Sequence, residues 1–249
     1  MKAMVLAAGL GSRLGPLTQA LPKCLVDIGG ITILEHVVRN LKRAGVDSLV
    51  INLYHLGDIV RDFVEKHDGF GLPVEFSRED VLLGTGGGLW KVEPLFRNER
   101  EFIVHNSDVY TDLDLRGMVA FHREKRAVGT LAVIQRETKR YLLFDMEGCL
   151  AGWRNLGTGQ ERVLRGGPLQ PLAFSGIQVL SPRIFEFMQD EEGAFSLTRP
   201  YLKAAEALAP IYSYRMDSSE WMDMGTPERL SSLREKLTAL GTAVPPTAA

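Results

Sequence analysis

Two cations set among glycines give this chain its first chemical signal. Arg13 and Lys23 lie in AMVLAAGLGSRLGPLTQALPKCL, residues 3–25, where Gly9, Gly11 and Gly15 break up an apolar run from Met4 to Ala8. Backbone N–H groups approach an anion closely only where no Cβ intervenes, so such a loop, flanked by two positive side chains, suits phosphate groups. Neither of the two commonest phosphate loops is present. GxGxxG would need glycine where Leu14 stands, and no GK[ST] closes a Walker loop. The run EFIVHNSD, Glu101 to Asp108, reads as a strand ending in a carboxylate. Ligands of an open α/β sheet gather beyond the carboxyl ends of its strands, so Asp108 is expected to face whatever Arg13 binds. A second glycine cluster, Gly84 and Gly86 to Gly88, and a further carboxylate, Asp223 in EWMDMGTPERL, complete the set.

These residues need elements to hold them. Met4 to Ala8 has the character of a buried parallel strand. Ile33, Leu34, Val37, Val38, Leu41 and Ala44 recur at helical spacing up to Gly45, and SLVINL, Ser48 to Leu53, reads as a second buried strand. Leu56, Ile59, Val60, Phe63 and Val64 mark a second amphipathic helix, and a short strand is expected between Pro73 and Phe76. Strand and helix in alternation imply a parallel sheet with right-handed crossovers. A loop through Gly84–Gly88 is expected to precede a helix containing Trp90. Asp112 and Asp114 suit a turn and a helix cap before a helix over 115–125. Strand candidates then follow one another at 129–135, 141–146, 149–155 and 171–180, with helical patterns scarce, so a mostly antiparallel patch is expected. Residues 156–170 have the glycine content of a loop, Pro182 to Met188 a short helix capped by Ser181, and 198–208 another helix. Thr226 and Pro227 open a last helix with Leu230, Leu233, Leu237 and Leu240 as its buried stripe.

Composition narrows the function classes. The chain has 249 residues, 45% hydrophobic and 24% charged, with formal net charge -2. Room exists for one large α/β domain, and no basic excess points to nucleic acid or an anionic membrane. Cys24 and Cys149 form neither a disulfide framework nor a zinc motif, which agrees with a reducing, cytoplasmic setting. No apolar run approaches the roughly 20 residues that span a bilayer. The five histidines make no HxxH or triad spacing; His55 and His105 read as polar contacts near strand ends, and Trp153 and Trp221 as core or stacking residues.

LAAGLGSRL followed by PKCL resembles the signature of the sugar-1-phosphate nucleotidyltransferases, and LGTGG, the Asp of NSD and WMDMGTP match further elements of that family in the right order. The closest resemblance is to its short members, the N-acetylmuramate-1-phosphate uridylyltransferases and the mannose- or heptose-1-phosphate guanylyltransferases. It implies a Rossmann-like, GT-A-like three-layer α/β fold with a mostly parallel central sheet and a small antiparallel patch on the sugar side. One domain is expected over residues 1–240: a nucleotide-binding half, 1–110, a sugar-phosphate half, 111–225, and a closing helix, 226–240. A frayed tail, 241–249, follows. The resemblance assigns NTP binding to Leu6, Ala7, Ala8, Gly9, Gly11, Ser12, Arg13, Lys23, Gly84, Thr85 and Gly86. Arg13, Lys23 and Asp108 would be catalytic, and Asp108 and Asp223 would hold Mg²⁺. Asn155, Phe174, Ser175 and Gly176 would contact the sugar phosphate. Here the pattern departs: Ser107 replaces the glycine of NGD, Phe174 stands where the family often has a sugar-binding Asn, and EKP is missing. The implied reaction is condensation of an NTP with a sugar 1-phosphate by a monomer or small homo-oligomer. A phosphocholine-type cytidylyltransferase and a non-catalytic nucleotide-sugar-binding paralogue are the alternatives.

Overall fold

The protein is described by a computed structural model, which covers residues 1–11, 14–15 and 18–239. Ser12, Arg13, Leu240 and the expected tail lie outside the described residues. Contacts divide the chain into two compact units.

The first unit comprises the described residues of Ala3–Leu82, His105–Leu113 and Glu220–Ala249. Its strands β1 (Lys2–Leu6), β2 (Ser48–Leu53) and β3 (Val74–Arg78) hydrogen-bond in the order β3-β2-β1. β2 and β3 are parallel, with Leu49 opposite Val74, so they need a crossover, which α2 (Gly57–Lys66) supplies. The helix α1 (Ile33–Arg43) starts where Thr32 Oγ1 accepts the Glu35 N–H at 3.1 Å, at capping-box spacing. Ile33, Leu34, Val37, Val38 and Leu41 form its buried face, and Gly45, at φ +88°, follows its end. β4 (Phe102–Asn106) stops two residues short of Asp108, which lies in a turn to β5 (Val109–Thr111). β5 pairs antiparallel with a strand at Trp221–Asp223 that the sequence pattern does not announce. Three residues are too few to show a period. The closing helix, Pro227–Ala239, packs Leu230, Leu233 and Leu237 against Leu14, Val26, Ile28, Ile33 and Met224.

The second unit comprises Met1–Lys2, Leu83–Val104 and Asp114–Ser219. Here α3 (Gly84–Lys91) corrects an expectation: the glycine cluster is the opening of the helix, not a loop before it. α4 (Glu93–Phe96) follows, then α5 (Leu115–Lys125), capped by Asp114 as read from the sequence. β6 (Gly129–Ile134), β7 (Arg140–Phe144), β8 (Leu150–Asn155) and β10 (Gln170–Leu180) make the antiparallel patch, with β10 between β6 and β7 and β8 beyond β7. The stretch 156–170 also differs from a plain loop, because it contains β9 (Gln160–Val163), paired to β8. β9 is exposed at every residue, so burial left no hydrophobic pattern in it. Ser181 caps a 3₁₀ turn at Pro182–Phe187, and α6 (Thr198–Glu206) follows. β11 (Ile211–Arg215) runs parallel to β6 and was not expected. The strand at Trp221–Asp223 is β12 and the closing helix α7.

Candidate functional site

Pro22, at φ -55°, leads into a 3₁₀ turn over Lys23–Leu25. Cys24 and Leu25 are buried there, and burial pushes the Cys24 thiol up to about 12, with Asp108 adding to the shift, so it is no nucleophile. Lys23 extends to Asp108, and its Nζ pairs with Oδ2 of that carboxylate; their side chains are only 12% and 24% exposed.

Asp108 has a carboxylate neighbour. Asp223 ends β12 opposite Val109, and the next residue, Met224, donates its N–H to the Asp108 carbonyl at 2.8 Å. The two acids, more than a hundred positions apart in sequence, therefore sit on adjacent backbone segments, offset by one residue: Asp223 faces Val109, and Met224 meets Asp108. Asp223 Oδ2 pairs with Arg229 Nη1 from the first turns of α7. Its Oδ1 is buried with no hydrogen-bond partner among the described residues. A buried carboxylate oxygen left without a partner is costly unless something cationic meets it. Two hard, acceptor-only carboxylates, one with such an oxygen, fit Mg²⁺, which is commonly bound by one or two carboxylates plus substrate phosphates.

The loop and its root are shaped locally. Gly11 has φ +64°, accepts the Leu14 N–H at 2.9 Å and is held by the Thr18 hydroxyl at 2.9 Å. Of the loop residues assigned to nucleotide, Leu6 is half-buried, Ala8 buried and Gly9 exposed. Ala7 donates its N–H to Asn52 Oδ1 at 2.7 Å, and Asn52 Nδ2 donates to Glu79 Oε1 at 2.7 Å. Sequence reasoning missed both partners: Asn52 is a lone polar residue near the end of the apolar strand β2, but Glu79, just past the mixed strand β3 (VEFSR), leaves no such mark. Beside them a cavity of about 470 Å³ is lined by Leu10, Tyr54, His55, Leu56, Arg78, Glu79 and Asp80. A brace under β5 was also missed: Asn40 Nδ2 donates to the Thr111 carbonyl at 2.8 Å, and the Thr111 hydroxyl donates to the Glu220 carbonyl at 2.7 Å, tying α1 to β5 and to the start of β12. Asp112 accepts the Glu220 N–H at 2.7 Å, a structural role in keeping with its turn reading.

The remaining assigned residues lie in the second unit. Gly84 has φ +70°. A Cβ on Gly86 would lie 2.3 Å from the Phe195 ring, and one on Gly87 would lie 2.8 Å from the Gly193 carbonyl. The glycines thus admit the segment 193–197, whose Leu197 N–H is accepted by Thr85 Oγ1 at 3.1 Å. Packing alone requires them. Asn155 Oδ1 accepts the Gly157 N–H at 2.9 Å within the β8–β9 turn. Phe174 is half-buried opposite Val133, before an irregularity in the β10–β6 register. Ser175 is 1% exposed and donates its hydroxyl to the Ala132 carbonyl at 2.7 Å, so its side chain is held inside the sheet; Gly176 has φ +86°. In the first unit, His105 is fully buried, its Nδ1 against the Asn106 carbonyl at 2.7 Å.

The family model described as "Nucleotidyl transferase" matches residues 2–239. The chain belongs to the nucleotidyl transferase family. Among curated members it is 28% identical over 253 residues to the UTP–glucose-1-phosphate uridylyltransferase of Synechocystis, covering 96% of this chain and 64% of that protein. It is 30% identical over 233 residues to mannose-1-phosphate guanyltransferase beta-A of Xenopus laevis, covering 92% of this chain and 62% of that protein. The chain thus spans less than two thirds of the length of these relatives. Among solved structures, HddC of Yersinia pseudotuberculosis complexed with GMP-PN aligns with TM-score 0.75 at 23% identity, over 95% of this chain and 99% of that one. That likeness shows the fold, the mixed α/β arrangement of nucleotidyltransferases with a mostly parallel sheet. No helix among the described residues is long and apolar enough to cross a membrane.

Proposed function

We propose that the chain condenses an NTP with a sugar 1-phosphate, giving an NDP-sugar and pyrophosphate. The observation that carries this reading is the Lys23–Asp108 ion pair next to the backbone of Asp223, all within one compact unit. The names of the relatives support a sugar 1-phosphate acceptor and a uracil or guanine nucleotide, in line with uridylyl transfer to N-acetylmuramate 1-phosphate or guanylyl transfer to mannose or heptose 1-phosphate.

In this reaction a phosphate oxygen of the sugar attacks the α-phosphorus in line, and the bond to pyrophosphate breaks. Both reactants are anions, so acceleration comes from positioning and from neutralising charge. Asp108 and Asp223 would hold Mg²⁺, which when bound supplies positive charge to the reacting phosphates. Lys23, leaving Asp108 as phosphate arrives, holds the sugar phosphate and α-phosphate together. Arg13 draws charge onto the departing pyrophosphate. Gly9 and Gly11 let loop N–H groups close on the triphosphate.

The test crosses four NTPs with glucose, mannose, N-acetylmuramate and heptose 1-phosphates and with phosphocholine, read by pyrophosphate release. One NTP and one sugar 1-phosphate should give release that a chelator abolishes. Absence of release from every pair, or release with phosphocholine alone, overturns the reading.

A further inference from the structure

We infer that Asn52 and Glu79 are positioning residues for the nucleotide loop, holding the Leu6–Ala7 peptide plane from which it departs. The inference rests on the proposed role of residues 6–11 in binding NTP.

That peptide is gripped on both sides. Its N–H, on Ala7, goes to Asn52 Oδ1 at 2.7 Å, while its C=O, on Leu6, accepts the N–H of Ser107 at 3.1 Å. Asn52 is fixed in turn by Glu79 Oε1 at 2.7 Å, and Glu79 anchors itself through its own N–H to the Leu53 carbonyl at 2.8 Å. Asn52 is 2% and Glu79 3% exposed, so water offers no substitute for a broken link. The relay polarity is set throughout: an amide oxygen must face Ala7, and its NH₂ must face an acceptor. The relay therefore fixes the plane of the last sheet-bound peptide before Ala8–Gly11. On the other side the same plane is bonded to Ser107, the residue before Asp108. One peptide group thus orients the root of the triphosphate loop and borders the carboxylate turn. Glu79 also lines the cavity beside Leu10, so a ligand in that cavity would border the relay.

The test exploits this polarity. Asn52→Asp keeps the acceptor for Ala7 but sets a carboxylate against Glu79. Glu79→Gln alone keeps an acceptor for Asn52. The pair N52D/E79Q restores one hydrogen bond with donor and acceptor exchanged. Equilibrium NTP affinity without sugar phosphate is measured by calorimetry, together with kcat, KM for the sugar phosphate and the melting temperature. N52D should weaken NTP binding about tenfold, the scale of one buried hydrogen bond lost. KM for the sugar phosphate should stay within about twofold, and N52D/E79Q should return to within about threefold of E79Q alone. If N52D does not fold, Asn52→Ala carries the same expectation for NTP affinity. Unchanged NTP affinity in N52D or N52A, a drop in melting temperature with no selective loss of NTP binding, or no recovery in the double variant overturns the inference. A wild-type chain that neither binds an NTP nor releases pyrophosphate instead overturns the function on which it rests.

Discussion

Each acidic residue of the candidate site has its own cation: Lys23 on Asp108 and Arg229 on Asp223. The two pairs differ in setting. Lys23 is 12% exposed, Arg229 45%, and the more exposed pair is worth at most about 1 kcal/mol. Replacing Arg229 with Gln should therefore tighten Mn²⁺ binding a few-fold, about threefold to fivefold by that scale, as followed by electron paramagnetic resonance; weaker binding would show Arg229 to support the site. Asp108→Ala should lower turnover at least about a hundredfold, the scale of losing one preorganised charge interaction, with the melting curve preserved. Undiminished turnover removes Asp108 from the mechanism. Cys24, buried and pushed up to about 12, should resist a water-soluble thiol reagent until the chain is unfolded, which absorbance titration reads directly. Lys23, Asp108 and Asp223 could be singled out in the sequence because charged residues at fixed offsets from glycines and strand ends leave a mark there; Arg13, singled out in the same way, lies outside the described residues. Asn52 and Glu79 were not, since a buried amide and its carboxylate are recognised only by what they touch.

At the scale of elements, legibility followed length and capping. α1 and α5 are readable because each combines a side-chain cap with a helical apolar period. β9, β11 and β12 are three to five residues long and lack a continuous apolar run, so they exist through pairing rather than pattern. α3 is the instructive case. Glycine is a poor helix former, and the composition of 84–88 reads as a loop. The helix stands because Gly86 and Gly87 let 193–197 pack against it. Gly86→Ala, good for the helix in isolation, should destabilise the protein by about 1–3 kcal/mol through overpacking on Phe195. Gly86→Ala combined with Phe195→Ala should show a smaller combined loss than the sum of the two, since each change vacates space the other needs. Urea titration of the four proteins measures this, and additive losses would refute the contact.

At the scale of the whole molecule, pH couples to folding through two histidines. Burial lowers both His105 and His122 from about 6.5 to about 4. Between those values the unfolded chain binds protons that the folded chain refuses, so this stability is complete above pH 6.5 and is lost as pH falls toward 4. His122→Gln should shrink the fall in melting temperature across that window, and a variant with the same pH slope as the parent would dismiss this account. Mg²⁺ with the preferred NTP should raise the melting temperature in proportion to the logarithm of ligand concentration, as any ligand bound by the native state alone does.

The order of loops, strand ends and carboxylates, and with it the α/β class and the family, was determined by the sequence alone, because these depend on residue type and short-range spacing. That Asp223 stands beside Asp108, that Asn52 grips the Leu6–Ala7 peptide, and that the glycines of α3 receive Phe195 were decided only by tertiary structure. Each of these is a contact between residues 45 or more positions apart. No local pattern encodes such a contact until strand pairing and core packing have brought the backbones together.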